Sequence, residues 1–230
     1  MHGNSSNTNV VVIVPCFNEG KIVRKILTEL LVKGYSVIAI DDGSNDNTFS
    51  EMSKTAAKLL QHRINLGQGA ALETGLEYVR RHVKNFDYLC TFDADGQHNV
   101  DDIEVLVNSM VQTKYNVILG NRFGQNQFEG GKVKGFLLRF SARLTKFTIG
   151  LNVADRHNGL RCLDRKSVNS IKLNIAGYGH ADDFLRQIVR NDLTYGEAPV
   201  RIRYTSYSKS KGQPLYNLIT ILFDRAMLRK

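Results

Sequence analysis

The sequence predicts an α/β fold with a mostly parallel sheet and helices on both of its faces. Two short β-branched runs, NVVVIV (9–14) and SVIAI (36–40), have the composition of buried strands. Between them, apolar residues recur at helical spacing from Ile22 to Leu31, and Gly34 follows the end of that run. Strands that alternate with helices are typical of a parallel sheet with both faces covered.

The remaining elements extend this pattern along the chain. The first helix is expected to use Asn18 as its N-cap, because a short amide side chain there can accept a backbone hydrogen bond. Further helices are predicted at about 50–60, 69–82, 100–113 and 181–190, and further strands at 88–92, 116–119 and 198–204. Two later stretches, 136–149 and 215–228, are apolar with basic residues, so each is either a packed helix or an amphipathic one. We predict one domain over residues 1–230.

Composition limits the classes of partner. The formal net charge is +9, from 31 Lys and Arg against 22 Asp and Glu, which favours an anionic partner such as nucleic acid, a membrane surface or a phosphorylated substrate. The basic residues are scattered and no nucleic-acid recognition module is present, which argues against nucleic acid. Three widely separated cysteines, and no run near the roughly 18 apolar residues of a membrane span, favour a soluble or peripheral protein in a reducing cytoplasm.

Polar residues follow three of the predicted strands. The segment 15–19 follows the first strand, Asp41 and Asp42 follow the second, and the segment 93–95 follows the strand at 88–92. Ligand sites in open α/β sheets gather at the carboxyl ends of strands. We therefore expect these three segments to meet in one crevice.

Asp93 and Asp95 are a candidate metal site. Residues two apart on an extended chain point to the same side, and two carboxylates with room for water and phosphate suit Mg²⁺ or Mn²⁺. A turn or helix cap is the alternative for an isolated pair of aspartates. An EF-hand calcium loop is disfavoured, because His98 stands where that loop needs glycine and a strand precedes the pair. A dinucleotide fingerprint beginning at Gly67 is also disfavoured, because Leu72 replaces its third glycine.

Several segments together resemble a known family. VPCFNEG (14–20), IDDGSNDNT (40–48), NLGQGAALETG (65–75) and FDADGQH (92–98) resemble the nucleotide-sugar-binding half of family 2 glycosyltransferases, which have the GT-A fold. The resemblance continues in the same order through LGNRF (119–123), DRHNGLR (155–161), GHADDF (179–184) and EAPVRIRYTSYSKSKGQ (197–213). Within the family, the chain is most similar to the polyprenyl-phosphate sugar transferases, the branch that resembles dolichol-phosphate-mannose synthase.

The resemblance implies a GT-A, Rossmann-like sheet with a C-terminal helical elaboration. It assigns residues 9–122 to a nucleotide-sugar-binding half and residues 123–230 to an acceptor-binding half. The resemblance implies that Asp93, Asp95 and Gln97 are ligands of Mg²⁺ or Mn²⁺. Contact with the nucleotide is implied for Pro15, Phe17, Asn18, Glu19, Asp41, Asp42, Asp93 and Ala94.

The same resemblance implies catalytic roles near the phosphates and the acceptor. The residues concerned are Asp95, Asp155, Asp183, Arg122, Arg161 and Lys211. A phosphate acceptor is already ionised near neutral pH, whereas a hydroxyl acceptor needs a general base. The identity of the acceptor therefore decides whether Asp155 or Asp183 must take a proton.

The function implied is metal-dependent, inverting transfer of a sugar from a GDP- or UDP-linked donor to a polyprenyl phosphate, undecaprenyl or dolichyl, at the cytoplasmic face of a membrane. Two alternatives remain open: transfer to a hydroxyl of a growing glycan, and a non-catalytic subunit that binds nucleotide sugar. Attachment to the membrane through a separate small membrane protein, and a homo-oligomer, also remain open.

Overall fold

The computed structural model describes residues 8–124, 149–177 and 179–203. Within these ranges one sheet is formed by β1 (Val10–Cys16), β2 (Ser36–Asp41), β3 (Lys58–Gln61), β4 (Tyr88–Thr91), β5 (Val117–Asn121), β6 (Arg161–Asp164) and β7 (Tyr195–Pro199). The helices are α1 (Val23–Val32), α2 (Thr48–Met52), α3 (Gln68–His82), α4 (Asp102–Thr113), α5 (Arg165–Ser170) and α6 (His180–Arg190). The prediction of a mostly parallel α/β sheet is confirmed.

The order of the strands in the sheet is β3-β2-β1-β4-β6-β5-β7. All neighbouring pairs are parallel except those of β6, which runs antiparallel to both β4 and β5. The carboxyl ends of β1, β2 and β4 therefore lie side by side at one edge, and β6 begins at that same edge. This edge carries the candidate site.

Two apolar layers cover the sheet. Successive side chains of β1 point to opposite faces, so Val12 and Val14 pack with α1 and α4, while Val11 and Ile13 pack with α3, α5 and α6. Because both faces are covered, β1 is buried along its whole length, which explains its unbroken apolar sequence. The three cysteines of the chain are buried and free.

One predicted helix is replaced by a shorter helix and a strand. We expected a helix at about 50–60, but α2 ends at Met52 and β3 follows at 58–61. The residues of β3, KLLQ, are good helix formers, yet their backbone pairs with β2 from Ile38 to Asp41. Sheet pairing thus overrides local helix propensity here, and the predicted single helix is wrong.

Other predicted boundaries also change. Asn18 is not the N-cap of α1: the helix starts after Ile22 without a side-chain cap, and Asn18 has a positive φ of 55°. The last described strand is β7 at 195–199 rather than 198–204, and neither β6 nor α5 was predicted. The stretches 136–148 and 215–228 lie outside the described residues. Across the described ranges, no helix combines the length and apolar character that crossing a bilayer requires.

Candidate active site

A cleft of about 470 Å³ opens at the edge where β1, β2 and β4 end. It brings together the loops that follow these strands, as the sequence predicts, and adds the start of α3 and one glycine from the loop before α6. The lining residues are Pro15, Cys16, Phe17, Glu19, Asp42, Asn65, Gly67, Gln68, Ala71, Asp93, Ala94, Asp95 and Gly177.

The part of the cleft next to the end of β1 has a partly apolar lining. Phe17 is 39% exposed there, and Pro15 and Asn65 line the cleft with it. An exposed aromatic ring with an amide nearby can stack on a flat heteroaromatic ring and hydrogen-bond to its edge. Asn18 does not line the cleft; its backbone N–H donates to Ser44 Oγ at 2.9 Å, which ties the loops after β1 and β2 together.

The two aspartates that follow β2 support the neighbouring loops. Asp42 accepts hydrogen bonds from the backbone N–H groups of Leu66 at 2.9 Å and Gly67 at 2.8 Å, and its Oδ1 lies 2.7 Å from His62 Nδ1. Asp42 thereby holds the loop before α3 while it lines the cleft. Asp41 is fully buried, bonds to the next loop and to β3, and is not part of the lining.

Asp93 and Asp95 lie together where β4 ends. The partial burial of Asp95, and secondarily the charge of Asp93, raise the pKa of Asp95 to about 6. Gln97 donates to Asp95 from its backbone N–H at 3.0 Å and from Nε2 at 2.7 Å. Gln68 Nε2 donates to Asp93 Oδ1 at 2.9 Å. The side chain of Gln97 therefore supports Asp95 in this structure.

This donor set fits a divalent cation that is shared with a phosphorylated substrate. Within the described ranges, no group of three His, Cys, Asp or Glu side chains gathers around one point. Mg²⁺ does not require such a group, because it is usually held by one or two carboxylates together with water and substrate phosphates. A cation between Asp93 and Asp95 would also relieve the repulsion that contributes to the raised pKa of Asp95.

Arg161 lies near Asp93 because β6 starts at the edge where β4 ends. It is only 3% exposed, its guanidinium carbon lies 4.3 Å from the centre of the Phe184 ring, and its Nε donates to the Asn158 carbonyl at 3.2 Å. Burial lowers the pKa of Arg161 to about 10, while Asp93 and Asp155 act in the opposite direction. The guanidinium thus remains charged at neutral pH.

Asp155 holds Arg122 at the end of β5. Its Oδ2 accepts from the backbone N–H of Arg122 at 3.1 Å and from Arg122 Nε at 2.6 Å. Asn158 Nδ2 donates to the same oxygen at 3.2 Å, and Asp155 is only 3% exposed. In this structure Asp155 therefore orients the guanidinium group of Arg122.

The carboxylate of Asp183 binds two backbone N–H groups. Its Oδ2 accepts from the N–H groups of Asn174 at 2.6 Å and Ile175 at 3.2 Å, and the residue is 7% exposed. The neighbouring Asp182 pairs with Arg156 at 3.4 Å. Lys211 lies outside the described residues.

Three arginines converge around His157. Burial first, and then the charges of Arg156, Arg122 and Arg161, lower the pKa of His157 to about 3, so this imidazole is neutral. Arg156 Nε donates to His157 Nε2 at 2.8 Å, and His180 Nδ1 lies 2.9 Å from the Gly177 carbonyl. Both histidines therefore make hydrogen bonds within the fold.

Several residues that build the site were not assigned from the sequence, and Gly159, which contacts Asp93, shows why. A Cβ atom at Gly159 would lie 2.0 Å from Asp93 Oδ2, so glycine is needed there for the carboxylate to keep its place. Gly67, Gln68 and Gly177 contribute to the cleft in ways that depend on contacts between distant segments. The motifs that contain these residues can be recognised in the sequence. The contacts that bring the residues into the cleft cannot.

Comparison with known proteins identifies the family. The model of "Glycosyl transferase family 2" matches residues 11–172. The chain belongs to this family. This glycosyltransferase is 30% identical over 226 residues to an uncharacterised protein of Methanocaldococcus jannaschii, covering 95% of this chain and 91% of that protein. It is 27% identical over 245 residues to a UDP-N-acetylglucosamine–dolichyl-phosphate N-acetylglucosaminyltransferase of Methanococcus voltae, covering 96% of each.

Solved structures confirm the predicted GT-A fold of the glycosyltransferase. Glucosyl-3-phosphoglycerate synthase from Mycobacterium tuberculosis, crystallised with Mg²⁺ and UDP, superposes with a TM-score of 0.70 at 16% identity. The superposition covers 94% of this chain and 75% of the synthase. At this level of identity the likeness establishes the fold alone.

Substitution of Gly159 by alanine tests the packing behind Asp93. We expect Gly159→Ala to displace the Asp93 carboxylate and to weaken Mn²⁺ binding by about tenfold or more, as is typical when groups that support metal ligands change. The measurement is titration of Mn²⁺ by electron paramagnetic resonance, with thermal unfolding as the control for folding. An unchanged Mn²⁺ affinity in a folded variant would show that Asp93 does not hold the metal in this position.

Asp95→Asn tests the raised pKa of Asp95. From its ordinary value of 3.8 up to about 6, the folded protein keeps a proton on Asp95 that the unfolded chain has lost, so stability falls as pH rises through this window. In EDTA at pH 8 we expect Asp95→Asn to be more stable than wild type by about 1–2 kcal/mol, allowing for partial exposure. Urea unfolding at several pH values should show this difference vanishing below about pH 4. A difference independent of pH would contradict the assignment.

Proposed function

We propose that this glycosyltransferase moves a sugar from a nucleotide diphosphate donor to a polyprenyl phosphate. The order of groups along the edge of the sheet supports this reaction. Phe17 stands at the end of β1, Asp93 and Asp95 follow β4, and the arginines lie at the start of β6 and the end of β5. From one end to the other, the bound substrates would present a base, a diphosphate, a sugar and an acceptor phosphate. This order matches the aromatic, carboxylate and cationic groups along the edge of the sheet.

The hydrogen bonds that the acidic residues already make are the observation that favours a phosphate acceptor over a hydroxyl. Asp155 orients Arg122, Asp182 pairs with Arg156, and Asp183 holds two backbone N–H groups. A hydroxyl acceptor needs a residue that removes its proton, whereas a phosphate is already an oxyanion near neutral pH. In this site the carboxylates orient arginines, and several arginines lie close together. Such a group of guanidinium cations is suited to bind an anionic acceptor.

The proposed reaction is a single displacement with inversion at the anomeric carbon. An oxygen of the acceptor phosphate forms the new bond to this carbon while the bond to the nucleoside diphosphate breaks on the opposite side. Phe17 and Asn65 hold the nucleoside, and Arg122 and Arg161 hold and orient phosphate oxygens. Asp93 and Asp95 would hold Mg²⁺ or Mn²⁺, which when bound neutralises charge on the leaving diphosphate.

Relatives support the choice of donor, metal and acceptor to be tested first. The name of the Methanococcus voltae relative specifies UDP-N-acetylglucosamine and dolichyl phosphate. Glucosyl-3-phosphoglycerate synthase has been crystallised with UDP together with Mg²⁺ or Mn²⁺. We therefore favour a UDP-linked donor over a GDP-linked one, with either metal.

We further propose that the enzyme is peripheral on the cytoplasmic face of a membrane. Its formal charge of +9 and the apolar, basic stretches at 136–149 and 215–228 support contact with anionic lipid. In this proposal residues 9–122 form the nucleotide-sugar half and residues 123–230 the acceptor half of one domain. A small membrane protein or a second copy of the chain is a candidate partner at the surface.

A matched pair of acceptors tests the proposed function. The full chain is incubated with UDP- and GDP-linked sugars, Mg²⁺ or Mn²⁺, and either a short polyprenyl phosphate or the polyprenol of equal length. We expect mass spectrometry to detect lipid-linked sugar only with the phosphate, and Asp95→Asn to reduce it by about 100-fold. A third incubation replaces the lipid by a glycan, and product in that incubation alone would support the alternative acceptor. Binding of a nucleotide sugar without any product would support a non-catalytic subunit.

A double-mutant cycle tests whether Asp155 acts through Arg122. Asp155→Asn should lower kcat/KM by about tenfold, because one charge-assisted hydrogen bond to Arg122 is weakened, and should leave the pH profile unchanged. Combined with Arg122→Gln, it should cause no further loss. A general base contributes about 10²–10⁴-fold. A loss of that size with a vanished acid limb in the pH profile would contradict the role of Asp155 as a positioning residue.

A further inference from the structure

The segment 173–177 reaches the cleft wall through its last residue and lies directly on the start of α3. Gly177 lines the cleft. A Cβ atom at Gly67 would lie 2.5 Å from the Ala176 carbonyl oxygen, and one at Gly69 would lie 2.0 Å from the Ile175 carbonyl oxygen. The two backbones are thus so close that no side chain fits between them.

Two carboxylates from different helices hold this segment. Glu73 of α3 accepts from the N–H of Leu173 at 2.7 Å, and Asp183 of α6 accepts from the next two N–H groups, at 2.6 and 3.2 Å. The Gly69 N–H then donates to the Ala176 carbonyl at 2.7 Å. Consecutive residues from 173 to 176 are therefore each tied to α3 or α6 by a hydrogen bond.

Arg80 fixes the orientation of Glu73. Arg80 Nη1 donates to the second carboxylate oxygen of Glu73 at 2.8 Å, and Arg80 Nε donates to the Val168 carbonyl at 2.8 Å. The side chain of Arg80 is only 11% exposed, and that of Glu73 is 25% exposed. Each oxygen of Glu73 has its own donor, so this ion pair belongs to the attachment of the segment rather than to a solvated surface.

The position of the segment relates it to the donor sugar. Gly177 lies next to Gly67 and Gln68, and Gln68 donates to Asp93, one of the proposed metal ligands. Just beyond Gly177 the chain enters α6, which packs Phe184 against Arg161. Gly177 thus meets the cleft between Gln68, on the diphosphate side, and the start of α6, which packs against Arg161, and on the proposed function this is the interval that the transferred sugar must occupy.

We propose that Glu73 and Asp183 are positioning residues that fix the 173–177 segment as the wall against which the donor's sugar binds. The inference rests on the proposed function for the identity of the donor. A wall held in one conformation can present its backbone to sugar hydroxyls without first being ordered, and this lowers the entropic cost of binding. Glu73 and Asp183 therefore control affinity for the sugar part of the donor and not for the nucleoside diphosphate.

Glu73→Gln and Glu77→Gln form a matched test and control. Glutamine at 73 offers one acceptor oxygen where Arg80 and the Leu173 N–H each need one. Glu77 lies on the same helix, bonds to the same Arg80 at 2.9 Å and is 42% exposed, and its carboxylate bonds to Arg80 and Arg81 rather than to the segment. Asp183→Asn is the second test variant, in case Glu73→Gln does not fold.

The first measurement compares the binding of UDP and UDP-N-acetylglucosamine by calorimetry with Mn²⁺ present. We expect Glu73→Gln and Asp183→Asn to weaken UDP-N-acetylglucosamine about tenfold and UDP by less than about twofold, with neither changed in Glu77→Gln. Equal weakening of both ligands, or an unchanged affinity for the nucleotide sugar, would overturn the proposal.

The second measurement needs no donor and separates this proposal from the proposed function. Hydrogen–deuterium exchange in the peptide 171–178 should be about tenfold faster in Glu73→Gln and Asp183→Asn than in wild type and in Glu77→Gln. Unchanged exchange would show that the carboxylates do not hold the segment. If wild type binds neither UDP nor the nucleotide sugar, the proposed donor and the proposed sugar-binding role of the segment are both refuted. The exchange data would still decide whether Glu73 and Asp183 hold the segment.

Discussion

The antiparallel pairing of β6 with β4 is the constraint on which the site depends. It sets Thr91 opposite Arg161 and Cys90 opposite Cys162, and Thr91 Oγ1 donates to the Gly159 carbonyl at 2.6 Å. Because β6 runs against its neighbours, its first residues lie where β4 ends. A parallel strand in this position would place Arg161 at the far edge of the sheet. The pairing thus brings the buried Arg161 close to the carboxylates that we propose as metal ligands, and joins the segments before and after residue 122.

The charges of the site balance one another across this junction. A charge removed from water is costly unless it is paired or hydrogen-bonded. Asp155 has Arg122, Asp182 has Arg156, and Arg161 is stabilised by Asp93 and Asp155. Asp95 differs, because burial and the charge of Asp93 both disfavour its ionised form. In the proposed function, a cation at Asp93 and Asp95 would therefore complete the site electrostatically without a rearrangement of the arginines.

The sequence predicted the parallel framework well, because buried parallel strands leave unbroken β-branched runs and their carboxyl ends must share an edge. It missed β6, whose four residues, RCLD, carry no strand periodicity and are defined by their two neighbours. It also predicted helix across β3, since KLLQ favours helix locally and only pairing with β2 decides otherwise. Contacts between segments far apart in sequence, such as Gly159 against Asp93, leave no local pattern.

The carboxylates show why a motif alone does not assign a chemical role. Asp155 and Asp183 were both predicted near the reaction centre, yet one accepts from an arginine and the other from two backbone N–H groups. A sequence shows the charge of such a residue but not its donors. In a reaction whose acceptor is already ionised, no proton acceptor is required, and carboxylates can instead hold arginines and loops. Rate then depends on how firmly the donor, metal and acceptor phosphate are held, which is a property of these supporting hydrogen bonds.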